Sequence, residues 1–459
     1  MLKQAKAFIR KTLVSLMGEK VFIYYSLFWA LLAGWFYGNP SKKMLVVVVT
    51  GTKGKTSTLN FLWHVLTAGG YKVGLISTAN IRIGSVEKMN WYHMTMPGRF
   101  LLQKLLRQMS DARCDIALVE ATSEGIKMGR HIGLYYDVAV FTNLHPEHLK
   151  SHGNSFEEYR RMKGKLFQNL STLPLKRWNG LDLEKVSIVN ADSKDSEYFL
   201  QFDADKKYSY GENNGEYRFA NVLQNQGGVS FSVLGSGEDV EDVFEESFYE
   251  IPILGTFNIY NAMPAILLGR YLKIPEMKII EGVKDCAVIP GRMELIDEGQ
   301  NYIALVDYAH EGVSMRLALE SARLAKKTPE NKLIAVYGGE GGGRDLSKRE
   351  TMSKAVTDLA THAIVTLSDP FDADPDEINK DIVKWLVKFG FKAEGESRNI
   401  WDYVDRREAI KKAISLAEEG DVILFASKGA EQSIVFADRV EKWDDRVEVR
   451  LAIQNRFGE

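Results

Sequence analysis

Residues 44–58, MLVVVVTGTKGKTST, decide how this chain is read. Met44–Val49 is an unbroken apolar run, mostly β-branched, which suits a strand buried on both faces of a parallel sheet. A glycine-rich turn follows at once. Gly51 and Gly54 free the backbone to curl around phosphate oxygens, Lys55 can reach β/γ-phosphates, and the Thr56 hydroxyl can ligate magnesium. The predicted phosphate-binding set is therefore Gly51, Thr52, Lys53, Gly54, Lys55, Thr56 and Ser57. A strict pattern places a further glycine where Val49 stands, so the loop is a variant. Its context supports it: a strand precedes, and Leu59, Leu62, Trp63 and Leu66 follow with the spacing of one helical face.

Outward from that turn, short β-branched runs alternate with longer amphipathic stretches. Val73–Ser77, Asp115–Glu120, Asp137–Thr142 and Val186–Asn190 read as further strands of the same sheet. From 206 to 252 the texture loosens, and Tyr217–Val222 and Gly228–Val233 read as a small antiparallel sheet. A helix is expected from Asn258 to Leu272, and Pro290-Gly291 marks a boundary. The alternation then restarts, with strands at Ile303–Asp307, Leu333–Tyr337, Ala363–Leu367 and Val422–Ala426. The expected fold is α/β: a P-loop-type central domain with a mainly parallel sheet, then a smaller Rossmann-like α/β domain. The expected divisions are 1–43, 44–289 and 290–459.

Composition narrows the function. The 459 residues are 45% hydrophobic and 26% charged, which excludes a disordered, collagenous or coiled-coil protein. A net charge of −2 gives no support to a nucleic-acid partner held by a broad basic surface. Two cysteines, Cys114 and Cys286, are too few for a disulfide framework or a four-thiolate zinc site, so a reduced cytoplasmic setting is expected. The N-terminus qualifies this. Lys3, Lys6, Arg10, Lys11 and Lys20 punctuate an apolar stretch, and 21–41 carries no charge at all. Three fates fit this run: a helix packed on its own domain, an interfacial helix at the inner face of a membrane, or a span. Membrane association through 1–41 stays open on the sequence.

Titratable groups collect at strand ends, where ligands bind in parallel α/β sheets. Glu120 ends one strand, and Asn143-Leu144-His145-Pro146-Glu147-His148 follows the next. A carboxylate and an imidazole there could hold a metal between phosphates and a second substrate. Later, Asp307-Tyr308-Ala309-His310, the glycine run 338–345 and Lys428-Gly429-Ala430-Glu431 each close a strand, the pattern of an enzyme that closes two domains around ATP and an acceptor.

TGTKGKTS (50–57), FTNLHPEHLKSHG (141–153), YRRMKGKLF (159–167), GTFNIYNAMPA (255–265), PGRME (290–294), VDYAH (306–310) and SKGAEQ (427–432) occur in this order. Together they resemble the Mur ligase family, from about residue 44 to the C-terminus, and within it the subgroup that adds the third stem-peptide residue. The resemblance implies an ATP-dependent, ADP-forming amide ligase joining an amino acid to a UDP-N-acetylmuramoyl dipeptide through an acyl-phosphate, with both substrates small molecules and the chain a monomer. It implies two magnesium ions, with Thr56 on one, and Glu120, His148 and a carbamylated Lys163 on the other. Lys55 then clamps phosphate, Asn258 meets adenine, and Arg292 and Asp307 contact phosphates and ribose. Thr95, Ser123 and Arg130 fall near acyl-substrate positions, and Glu431 receives the incoming amine. Only 43 residues precede the first strand, where the family has a UDP-gripping domain. Ser368-Asp369-Pro370-Phe371 replaces the Asp-Asn-Pro-Arg of enzymes selecting meso-diaminopimelate, and Phe371 lacks the guanidinium that pairs with a distal carboxylate. The Asp372, Asp374 and Asp376 cluster nearby reads either as an attractor of a cationic side chain or as a solvated acidic turn. Two other acceptors are compatible with the same motifs, a lipid-linked muropeptide and a folate as in folylpolyglutamate synthases. A ligase-inactive, membrane-tethered nucleotide-binding scaffold is the reading from another class.

Overall fold

The computed structural model describes residues 24–92, 94–147, 149–178, 180–235, 246–343 and 345–457. Leu45–Thr50 is buried along its whole length, as a β-branched strand covered on both faces must be. It pairs in parallel with Ile116–Glu120 on one side, with Val49 opposite Glu120. On the other side it pairs with Val138–Phe141, with Thr50 opposite Phe141. These registers bring the ends of three strands beside the glycine turn.

The sheet they belong to has eleven strands. Its order is Ser247–Ile251, Gly228–Gly235, Tyr217–Asn225, Lys206–Gly211, Val186–Asn190, Val138–Phe141, Leu45–Thr50, Ile116–Glu120, Val73–Ile76, Asn80–Ile83 and Val86–Met89. Two features differ from the sequence reading. Tyr217–Asn225 and Gly228–Gly235 continue this sheet instead of forming one of their own. Asn80–Ile83 and Val86–Met89 add an antiparallel edge hairpin. The helix Lys55–Ala68 is buried more widely than one face: Phe61 and Val65 join Leu59, Leu62 and Leu66 in the interior.

A second sheet has six strands in the order Glu294–Ile296, Ile303–Val306, Val422–Phe425, Leu333–Gly339, His362–Leu367 and Ile400–Asp402. All its pairings are parallel except the first. Its core is mainly aliphatic, with Tyr302, Phe425 and Trp443 packed among Ile334, Val336, Ile364 and Ile423. The chain forms two compact units. One runs through Phe219 and includes Tyr260–Gly282; the other runs from Val283 onward and takes in Ala220–Ser232.

Ahead of the first strand, residues 24–36 are helical and pack on the first unit. Ser26, Ala30 and Ala33 face inward and are almost fully buried. A Cβ placed on Gly133 would lie 3.2 Å from the Ala30 carbonyl, so this contact is backbone-close. Among the described residues, no helix is long and apolar enough to cross a membrane. The basic stretch 1–20 lies outside the described residues.

The link from this helix to the sheet is held by a buried charge cluster. Lys176 Nζ donates to the carbonyls of Ser41, Met44 and Tyr135 at 2.9, 2.7 and 2.9 Å. It also pairs with Asp137 at 2.5 Å, whose other oxygen takes Lys185 at 3.1 Å. Burial lowers the Lys176 amine to about 8, with Asp137 working in the opposite direction.

Candidate active site

The glycine turn has the geometry its sequence requires. Gly54 caps the Lys55–Ala68 helix at φ +81°, and a Cβ there would lie 2.2 Å from Asn261 Oδ1. Gly51 is as constrained, since its Cβ would lie 1.9 Å from Thr142 Oγ1. Between them Thr52 N donates to the Asn143 carbonyl and Lys53 N to Asn143 Oδ1, both at 2.9 Å. Lys53 Nζ pairs with Glu147 at 3.1 Å. Lys55 Nζ turns back to the Thr52 carbonyl at 2.8 Å, placing its charge over the turn at a helix N-terminus. Ser57 is buried in the following turn of helix.

Glu120 is drawn into this turn by its register with Val49. Its Oε2 accepts from Thr56 Oγ1 at 3.0 Å, Thr78 N at 2.7 Å and Thr78 Oγ1 at 3.0 Å. Thr78 Oγ1 also lies 3.0 Å from Thr95 Oγ1. One hydrogen-bonded row thus runs from Thr56 through Glu120 and Thr78 to Thr95.

Lys163 comes from the Phe156–Leu170 helix and is fully buried. Its Nζ donates to the Gly51 carbonyl at 2.6 Å and lies 4.6 Å from the Tyr159 ring centre. Burial, then the Lys55 charge, hold this amine well below the ordinary lysine range, against the pull of Glu147 and Glu120. The Tyr159 hydroxyl bonds Thr52 Oγ1 at 2.9 Å, and His152 sits edge-on to its ring at 5.3 Å. His152 Nε2 in turn meets Ser123 Oγ at 3.1 Å. Arg130 is half-buried and fastened to the Met96 carbonyl and to Met128 Sδ. Of the residues expected in the first unit, Lys55, Thr56, Glu120, Lys163 and Thr95 share one cluster, with Ser123 linked through His152. His148 lies outside the described residues. Thr78, Asn143, His152 and Tyr159 belong to the cluster and were not singled out from sequence, although the last three fall within or beside the quoted motifs.

The second unit carries its own constellation. Asp307 is buried and accepts from the backbone N–H groups of Met293 and Ala309 at 2.8 and 2.7 Å. Burial pushes its carboxyl up, with Arg292 opposing. Arg292 lies over the Tyr308 ring at 4.5 Å. The Tyr308 hydroxyl donates to Glu431 Oε1 at 3.2 Å, while Glu431 Oε2 accepts from Lys428 Nζ at 2.6 Å. Lys428 is fully buried and also donates to Asp369 Oδ1 at 3.0 Å. Burial works against its charge, but Glu431 and Asp369 prevail and raise its pKa. Tyr308, Lys428 and Asp369 are the members of this group whose side chains carried no assigned role in the sequence reading.

Phe371 adopts φ +53° and turns its ring toward Gly342, where a Cβ would lie 2.8 Å from Phe371 Cδ2. Asp374 caps the Pro375–Lys388 helix by accepting from Asp376 N, and Asp372, Asp374 and Asp376 are exposed, which favours the solvated-turn reading of that cluster. Asn258 is buried on the first turn of the Phe257–Tyr271 helix, its Nδ2 on the Leu254 carbonyl at 2.9 Å. A small recess is lined by His310, Glu340, Asp345, Lys348 and Arg349.

Comparison with known proteins places this geometry. Residues 49–269 match the Mur ligase middle domain, and 291–429 the Mur ligase, glutamate ligase domain. The UDP-N-acetylmuramoyl-L-alanyl-D-glutamate–2,6-diaminopimelate ligase of Bacillus cereus is 34% identical over 432 residues, 94% of this chain and 82% of that protein. Its counterpart in Geobacillus thermodenitrificans is also 34% identical, over 93% of this chain and 82% of that one. A solved structure of such a ligase is 27% identical and superposes with a TM-score of 0.60 over 90% of this chain and 79% of that chain. In fold alone, the chain is also similar to Mycobacterium tuberculosis folylpolyglutamate synthase complexed with ADP, at 16% identity and a TM-score of 0.66, covering 88% of this chain and 92% of that one. A strand-turn-helix phosphate loop, two α/β units and identity sustained across both lead to one conclusion: the chain belongs to the Mur ligase family, the ATP-dependent amide ligases.

Proposed function

We propose that this chain joins an amino acid to the free carboxylate of a UDP-N-acetylmuramoyl dipeptide, releasing ADP and phosphate. The observation that carries this reading is the cluster in which Lys55, Thr56, Glu120 and Lys163 share the phosphate turn, together with relatives whose names specify that acceptor. The substrate carboxylate attacks the γ-phosphorus of ATP, and the bond to the β-phosphate oxygen breaks to give an acyl-phosphate and ADP. The amine then attacks the acyl carbon, loses a proton, and phosphate leaves.

The protein's part is positioning and charge neutralisation. The Gly51–Ser57 backbone cradles the phosphates, and Lys55 leaves its internal carbonyl partner to meet them. Thr56 and Glu120 supply hard oxygen donors that fit magnesium, and His148 and Lys163 complete the proposed set. Lys163 suits carbamylation: an amine held neutral by burial can take up carbon dioxide, and its product is an anion. Bound there, magnesium would offset phosphate charge. Thr95, Ser123 and Arg130 bind the acyl substrate, while Asn258, Arg292 and Asp307 serve the nucleotide. Glu431, held by Lys428 and Tyr308, receives the incoming amine. Phe371 brings no cation to a distal carboxylate, so the amino acid is one without that group, such as lysine or ornithine. The chain acts as a monomer in the cytoplasm.

ADP release is measured with ATP, magnesium, the muramoyl dipeptide and an amino-acid panel, each omitted in turn, and the product is weighed by mass spectrometry. Release that ignores the dipeptide, or occurs only with a folate or a lipid-linked muropeptide, refutes the assigned acceptor. Nucleotide binding with no amine-dependent phosphate release refutes the ligase reading in favour of a scaffold.

A further inference from the structure

We propose that the N-terminal helix is a docking surface for an anionic lipid bilayer. The helix spanning 24–36 presents its residues in the opposite sense to an ordinary surface helix. Small side chains, Ser26, Ala30 and Ala33, follow i, i+4, i+7 and face the protein. Large apolar ones, Tyr24, Phe28, Leu31 and Trp35, follow i, i+4, i+7, i+11 and face outward, exposed by 69, 59, 49 and 72%. Phe36 widens this stripe, and Phe100, itself 39% exposed, lies 6.5 Å from the Phe36 ring. Burying only the small face leaves the residues with most to gain from leaving water still in it.

The composition of the stripe and its flanks select the partner. Tryptophan, tyrosine and phenylalanine are the residues that favour the headgroup level of a bilayer. Five basic residues and one acid, Glu19, lie in 1–20, and exposed Lys42 and Lys43 follow the helix. No aspartate or glutamate occurs between Lys20 and Val86. An aromatic patch set in cationic sequence on both sides matches an anionic surface by charge as well as by polarity. The described helical residues 24–36 are held along their small face and are not long and apolar enough to cross a membrane, so this face lies on the bilayer surface. The same contact touches the turn that carries Arg130: a Cβ on Gly129 would lie 3.7 Å from the Ser26 side chain. Docking therefore brings the proposed acyl-substrate region to the lipid, a corollary that rests on the function proposed for Arg130, whereas the docking does not.

The test is co-sedimentation of the full chain with phosphatidylcholine vesicles, with and without about 30% phosphatidylglycerol, at ~0.15 and ~0.5 M salt. Anionic vesicles should bind at least ~10-fold more tightly than neutral ones, and the higher salt should erase most of that difference. The exposed double substitution Phe28→Ser with Trp35→Ser should lower the affinity by ~10-fold or more, with nucleotide binding unchanged. Charge replacement of Lys3, Lys6, Arg10 and Lys11 by glutamine should lower it for anionic vesicles only. No sedimentation with either vesicle, equal binding to both, or a serine variant that binds like wild type overturns the proposal. A dimer by light scattering that the serine substitutions turn into a monomer also overturns it, and assigns the face to a second copy of the chain.

Discussion

Replacing Lys163 with methionine keeps the bulk of the side chain and removes one amine. The loss to the fold has two opposed parts. The Gly51 carbonyl, now accepting from Nζ at 2.6 Å, is left without that donor in a buried site, at a cost of ~1–3 kcal/mol. Against this, burial lowers the amine's folded pKa, so between that value and 10.5 the unfolded chain holds a proton that the native chain does not. Stability from this group therefore falls as pH drops through the window, and methionine removes that penalty. The net change in unfolding free energy at neutral pH should stay within ~2 kcal/mol. The loss to catalysis has no such compensation: one preorganised charge-stabilising group at a phosphoryl-transfer site is worth ~100- to 1,000-fold in kcat. Steady-state ADP release at saturating ATP, magnesium and acceptor gives kcat, and a urea titration gives stability. Added bicarbonate should raise the wild-type rate and leave the variant's unchanged. A kcat within about twofold of wild type, or a loss explained by the unfolded fraction, refutes the role given to Lys163.

Gly54→Ala should fold yet lose nucleotide binding, because alanine at φ +81° costs ~1–2 kcal/mol and its methyl meets Asn261 Oδ1; ADP titration calorimetry reads the loss. Lys428→Met should lower unfolding free energy by ~3–5 kcal/mol, since it strands Asp369 and Glu431 without their shared buried cation, and chemical denaturation measures this. Phe371→Arg should shift amino-acid preference toward meso-diaminopimelate in the ADP-release assay, with ATP affinity unchanged. Burial lowers His131 to about 4, so from pH 6.5 down to 4 the unfolded chain binds a proton that the native chain refuses. Stability must fall across that window by up to ~1.4 kcal/mol per pH unit on account of this residue, and His131→Gln should flatten that part of the slope in urea titrations at stepped pH.

Much of this molecule was legible because its signals are local. The turn after Val49 declares itself through glycine, lysine and threonine within a few residues, and continuous apolar runs mark the strands on either side. Glu120 could be placed because a strand end is a position a sequence pattern can locate. What escaped was set by distance along the chain. Lys428 looks like any charged loop residue until Asp369, 59 positions earlier, is brought to its side. Tyr159 reads as one more aromatic on a helix until its hydroxyl meets Thr52, 107 positions away. The Asn80–Met89 hairpin was hidden for another reason: both strands are only four residues long, Val86–Met89 is mostly exposed and does not alternate, and Arg82 is buried with its charge over the Trp63 ring at 3.9 Å, against the usual fate of a charged residue.

The Lys176 amine has a mechanical consequence. It grips the Ser41, Met44 and Tyr135 carbonyls and Asp137 together, at the foot of the strand whose far end is Gly51. Asp137 also takes the Val46 N–H at 2.9 Å, so the strand's first turns of backbone are pinned on more than one side. Between the aromatic helix and this pin lie a hydrogen-bonded turn at 37–39 and the short helical turn Pro40–Lys43, and the six residues beyond form an extended rod packed between neighbours. The helix and the phosphate turn are in this sense two ends of one stiff lever, with its fulcrum at Asp137.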